Sequence, residues 1–105
     1  MTRTALEATT HAANGTVRIE LHGDIDGSAR EVLNAAYGES AGADQVLLDF
    51  AQVDYINSTG IALIVGLLAR ARADARPVAA SGLSTHYREI FEITRLSDFM
   101  TILAE

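Results

Sequence analysis

The chain has no cysteine, which excludes disulfide staples, thiolate metal sites and a cysteine nucleophile, and is consistent with a reducing compartment. It is also poor in basic side chains, with eight against fourteen acidic ones and a net charge of −6. Nucleic-acid binding needs a basic stripe to neutralise phosphates, and these eight are not gathered into one. Long apolar runs are missing as well. The longest, Ile61 to Ala69, covers nine residues before Arg70 interrupts it, less than half of the ~20 that a membrane-spanning helix requires. The opening "MTRTALEATTHAANG" lacks the continuous apolar core of a secretion signal. The expectation is a cytoplasmic protein with no membrane insertion, and no cofactor or metal is expected.

What is present describes one folding unit. Hydrophobic residues make up 49% and charged residues 21% of 105 positions, ordinary for a globular chain and far from the composition of disorder. A chain of this length buries roughly two thirds of the surface its unfolded form exposes, so residues 1–105 are expected to form a single domain around one core.

The hydrophobic periodicity changes along the chain in a regular order. Residues 4–9 read as a weak strand, "ANG" at 13–15 supplies turn chemistry, and Val17, Ile19 and Leu21 alternate with Arg18, Glu20 and His22, which predicts a β-hairpin. Ala29, Val32, Leu33 and Ala36 recur at helical spacing, so 28–39 reads as a helix with Asp26 or Ser28 as its cap and Gly42 beyond its end. "QVLLDF" at 45–50 reads as a central strand covered on both faces. A helix follows from Thr59 or Gly60 to about Ala73, with Arg70, Arg72 and Arg76 complementing its negative end and Pro77, the one proline, stopping it. "PVAASG" is a further strand, "STHYREIFEITR" a helix opened by Ser84, and "FMTIL" a last strand. The order β-β-α-β-α-β-α-β predicts an α/β domain with a mixed, mostly parallel sheet and right-handed crossovers.

The chemistry-bearing residues concentrate in two stretches. In Asn57-Ser58-Thr59 all three side chains are good helix caps. A hydroxyl at a helix N-terminus is also where a phosphate is best tolerated, because the free amides and the dipole favour its charge. Both roles stay open. In "GDID", Asp24 and Asp26 are paired carboxylates with acid–base or cation-binding capacity, or loop and cap residues beside Gly23 and Gly27. Placing the apolar helix at 100° per residue puts Ile61, Ile64, Val65, Leu68 and Ala71 towards the sheet and leaves Leu63, Gly66 and Leu67 on or near the opposite side, either a docking face for a partner or a side that neighbouring elements cover too.

Other site types fit poorly. His11, His22 and His86 match no metal-ligand spacing. A nucleophile elbow needs small residues around its serine, and Ile56 stands two before Ser58; no enzyme activity is expected. No glycine-rich nucleotide loop is present.

"HGDIDGS" at 22–28 together with "VLLDFAQVDYINSTGIALIVGLL" at 46–68 resembles the STAS domain family, most closely the bacterial anti-sigma-factor antagonists. Gly23-Asp24-Ile25-Asp26 matches the family's G-x-[LIV]-D element, "VLLDF" its apolar strand, and Asn57-Ser58-Thr59-Gly60-Ile61 its D-S-[ST]-G-[LIV] turn, with Asn57 where the family usually has an acid. The resemblance implies a STAS-like fold and an anti-anti-sigma role in stress response and transcription regulation. Ser58 would be the phosphorylation site, with Thr59 the alternative acceptor. The partner would be an anti-sigma factor that is itself a serine kinase, bound until phosphorylation breaks the complex. The expected docking residues are Asn57, Thr59, Leu63, Gly66 and Leu67 with Asp24 and Asp26, because the loop at the end of one strand and the helix after another can meet there. The alternative it implies is a non-phosphorylated STAS module, in a homo-oligomer or STAS-domain assembly of a stress-signalling complex or in a lipid-transport system.

Overall fold

A computed structural model of the chain describes residues 4–103. Strand β1 (Glu7–Ala13) turns into β2 (Thr16–Ile25) through Asn14 and Gly15, whose φ angles are 53° and 81°. Two successive positive φ values close a two-residue hairpin with the twist the strands need, and Asn-Gly is the pair that adopts them at least cost. Ala13 pairs with Thr16 and the antiparallel ladder runs back to Glu7 and His22. The first strand thus begins and ends later than the 4–9 expected. Its polar alternation is weak because most of it is exposed, which leaves the turn as the stronger signal.

The chain then makes three crossovers. A single 3-10 turn (Gly27–Ala29) leads into α1 (Arg30–Glu39), β3 (Gln45–Ile56) leads into α2 (Ser58–Ala73), and β4 (Val78–Ser81) leads into α3 (Thr85–Ile93). A second 3-10 turn, Leu96–Asp98, precedes the short β5 (Thr101–Ile102). The sheet order is β1-β2-β3-β4-β5, antiparallel at the hairpin and parallel elsewhere. The expected α/β order and mixed sheet with its N-terminal hairpin are what the structure contains.

Every crossover steps one strand in the same direction, and right-handed crossovers of that kind place their helices on one face. Val17, Ile19 and Leu21 of β2, Val46, Leu48 and Phe50 of β3, Leu33 and Tyr37 of α1, Ile64, Leu67 and Leu68 of α2 and Phe91 of α3 form one buried cluster. Phe50 and Phe91 meet edge to face at 5.8 Å, a favoured aromatic geometry.

The other sheet face is polar, which corrects the expectation for β3. Leu47 and Asp49 are only half-buried, so this strand alternates rather than being covered on both sides. Arg18 bridges Glu20 and Asp49 there, Glu20 is hydrogen-bonded to His22 at 3.2 Å, and His11 Nε2 lies 3.6 Å from the same carboxylate. The hydrogen bond from Arg18 holds the Glu20 carboxyl below its ordinary range. Strand β3 also runs six residues beyond the expected end, to Ile56, because Gln52 to Ile56 continue pairing with His22 to Ile25 through two irregularities in register. That extension delivers the chain to the start of α2.

Candidate functional site

The site is the corner where β2 and β3 end together and α2 begins. Asn57 caps α2: its backbone is extended, and its Oδ1 accepts a hydrogen bond from the Gly60 amide at 2.8 Å. The Asn57 amide in turn donates to the Ile25 carbonyl at 3.2 Å. Of the three side chains able to cap, Asn57 takes the role. The Ser58 hydroxyl makes no hydrogen bond among the described residues, and Ser58 and Thr59 both lie exposed in the first turn. There the unpaired amides create a positive end that favours an anion.

The "GDID" loop reaches the same corner. Asp26 caps the 3-10 turn, accepting from the Ser28 amide at 2.9 Å and from its hydroxyl at 2.5 Å. The Gly27 backbone lies beside Thr59, so that a β-carbon on Gly27 would sit 3.5 Å from the Thr59 methyl. Asp26, Gly27, Ser58 and Thr59 therefore share one surface. Asp24 does not belong to it. It is 5% exposed, and its amide donates to the Thr4 carbonyl at 3.0 Å, so it is corrected from a docking residue to part of the frame of the loop.

The face of α2 is also corrected. Leu67 is 4% exposed and belongs to the core, whereas Val65, assigned to the core from the sequence, is 47% exposed. The buried stripe is Gly60, Ile64, Leu67, Leu68 and Ala71, rotated by about 50° from the expected one at 100° per residue. Gly60 causes the rotation, because it lies against the Ile25 carbonyl with no space for a side chain, and its azimuth fixes which residues follow it inward. Leu63 and Ile61 flank the stripe half-buried. The outward ridge that Ser58 heads is Ala62, Val65, Gly66 and Ala69, small or apolar side chains on solvent.

Two contributors were not visible in the sequence. The Ile25 carbonyl is a backbone atom and carries no residue signature. Tyr87 of α3 accepts the Ile56 amide hydrogen bond at 2.9 Å from 31 residues away, a pairing that no local spacing signals. Ser84 caps α3 by accepting from the Tyr87 amide at 3.2 Å, as its place before the helix predicts. Among the described residues no helix is long and apolar enough to cross a membrane.

Residues 8–104 match the family model described as "Mlab, STAS domain". Among curated proteins none is significantly similar in sequence. Of solved structures, the chain is similar to the anti-sigma factor antagonist SpoIIAA in its unphosphorylated form, with TM-score 0.72 and 19% identity over 93% of this chain and 88% of that one. Bacillus SpoIIAA in its phosphorylated form gives TM-score 0.66 and 20% identity over 93% and 92% of the two chains. A sulfate transporter family protein from Wolinella succinogenes gives 0.72 and 13% over 84% and 73%. At these identities the likeness is one of fold.

Proposed function

The chain belongs to the STAS domain family, and from that premise we propose that it is an anti-sigma-factor antagonist, a protein-interaction switch controlled by phosphorylation of Ser58. The observation that carries this reading is the division of labour at the head of α2. Asn57 does the capping, which leaves the exposed Ser58 hydroxyl without a structural task. Thr59, one residue on and also exposed, is the alternative acceptor.

The partner is a cytoplasmic anti-sigma factor with serine kinase activity. It docks over Ser58, Thr59 and the Asp26-Gly27 loop and along Ala62, Leu63, Val65 and Gly66. A phosphate on Ser58 is tolerated by the fold, since helix N-terminal amides and the dipole favour its charge of nearly −2. Placed in a desolvated interface with no partner cation, the same dianion costs on the order of 2–5 kcal/mol, roughly 30- to several-thousand-fold in affinity. A change that hardly touches the fold therefore empties the surface of its partner.

A second reading is favoured by the family model, whose description carries the name Mlab, and by Asn57 standing where the turn usually has an acid. In it the chain is a constitutive STAS module of a lipid-transport or scaffold complex, and the Asn57-Ser58-Thr59 turn is only a helix start.

Intact-mass spectrometry after incubation with ATP and candidate anti-sigma-factor kinases, repeated on Ser58→Ala, separates the two. One phosphate on the wild type and none on the variant supports the switch. Binding without any phosphate transfer supports the constitutive module.

A further inference from the structure

We infer that Tyr87 is a positioning residue for the Ser58 turn, and that through it the state of that turn is conveyed to α3. The inference rests on the reading of Ser58 as the switch. At the end of β3 the Ile56 amide, one residue before the cap, donates to the Tyr87 hydroxyl at 2.9 Å. The next amide, that of Asn57, turns to the Ile25 carbonyl at 3.2 Å, and the Asn57 side chain then holds the Gly60 amide at 2.8 Å. Three consecutive fastenings thus set the direction in which the chain enters α2, and the first of them comes from another helix.

Tyr87 is itself held. The Ser84 hydroxyl accepts from its amide at 3.2 Å, and its ring meets that of His86 edge-on at 5.0 Å. His86 is exposed in the first turn of α3. A movement of the Ser58 turn that lengthens the Ile56 to Tyr87 bond must therefore reach the start of α3 and its exposed ring, and a partner resting on that ring must act back on the turn by the same amount, because coupling between two sites is reciprocal. A phosphate on Ser58 competes for the first-turn amides of α2, two residues from Ile56 in sequence, which is the perturbation such a link transmits.

The test uses the full chain as wild type and as Tyr87→Phe, each also prepared with phosphoserine in place of Ser58 during translation. Phenylalanine keeps the ring and removes only the acceptor. In Tyr87→Phe the Ile56 amide is expected to exchange with deuterium about five-fold faster or more, the factor that corresponds to one net hydrogen bond, while Ile19 and Leu48 amides keep their rates. In the wild-type background, phosphoserine is expected to move the Ile56 amide resonance and the ring resonances of Tyr87 and His86; in Tyr87→Phe the His86 response disappears while the Ile56 response stays. Equal His86 responses in both backgrounds, no response in the wild type, or a uniform loss of protection across the sheet would each overturn the inference, the last by showing Tyr87 to be merely structural. The phosphate is installed without a kinase, so failure of this coupling appears only in the spectra, and failure of the Ser58 reading appears only in the mass measurement.

Discussion

Gly60 of α2 lies so close to the Ile25 carbonyl of β2 that a β-carbon on Gly60 would sit 1.9 Å from that oxygen. Neither partner has a flexible end to move aside, since one is a helix backbone and the other a strand backbone. Gly60→Ala is therefore expected to destabilise the fold by about 3 kcal/mol or more, at or beyond the upper end of ordinary overpacking. Urea denaturation measures it, and a loss under about 1 kcal/mol would show that α2 can slide away from β2.

Asn57 supplies a single capping bond to the Gly60 amide. Asn57→Ala should cost about 1 kcal/mol, whereas Asn57→Asp should keep the cap and add a favourable charge at the positive helix end. Thermal melting of the three proteins is expected to rank them Asp, Asn, Ala from the highest midpoint down.

Ser58→Asp is expected to change stability by no more than about 1 kcal/mol, because the acid replaces an exposed hydroxyl at a helix N-terminus. It should abolish binding of the kinase partner identified by mass spectrometry. An aspartate variant that folds and still binds with wild-type affinity would sink the charge mechanism.

Val65 and Leu67 should behave oppositely to the assignment made from the sequence. Leu67→Ala empties a core site and is expected to cost about 2–5 kcal/mol, in the usual range for a buried leucine. Val65→Asp should leave the denaturation midpoint nearly unchanged and weaken partner binding, as measured by titration calorimetry.

Tyr37 gives a pH dependence. Burial, and then its hydrogen bond to Asp74 at 2.6 Å, raise its phenol above the ordinary value of 10.0. A group whose pKa is raised by folding contributes stability that is complete below the unfolded value and is lost as pH rises through the folded one. Melting temperature should therefore fall above about pH 10, and less steeply in Tyr37→Phe, as thermal melts between neutral and alkaline pH would record.

Much of this architecture was legible because its signals are local. Asn14-Gly15 announces a hairpin, the alternation of Val17, Ile19 and Leu21 a half-buried strand, and Pro77 the end of a helix. The head of α2 was legible as a site, but not the division of roles within it. All three of Asn57, Ser58 and Thr59 are chemically able to cap, and only the direction in which β3 arrives decides among them. The face of α2 was misread for a related reason. When Ile61, Leu63, Ile64, Val65, Leu67 and Leu68 are all apolar, periodicity has little polar contrast from which to choose an azimuth. The choice is made instead by one glycine meeting a carbonyl 35 residues earlier in the chain.

The strands stand side by side in the order in which they occur in the chain, β1 to β5. No strand has to be inserted between two already in place, so each new one adds to an edge left open by its predecessor. A chain emerging from the ribosome can pair its hairpin first and extend the sheet one crossover at a time. Each closure then spans only neighbouring elements, the condition under which topology favours rapid folding. The corner that carries Ser58 is assembled as soon as β3 has paired with β2 and α2 has followed, but its brace from Tyr87 arrives only with α3. On this order of assembly, the link between turn and helix is among the last features the nascent protein acquires.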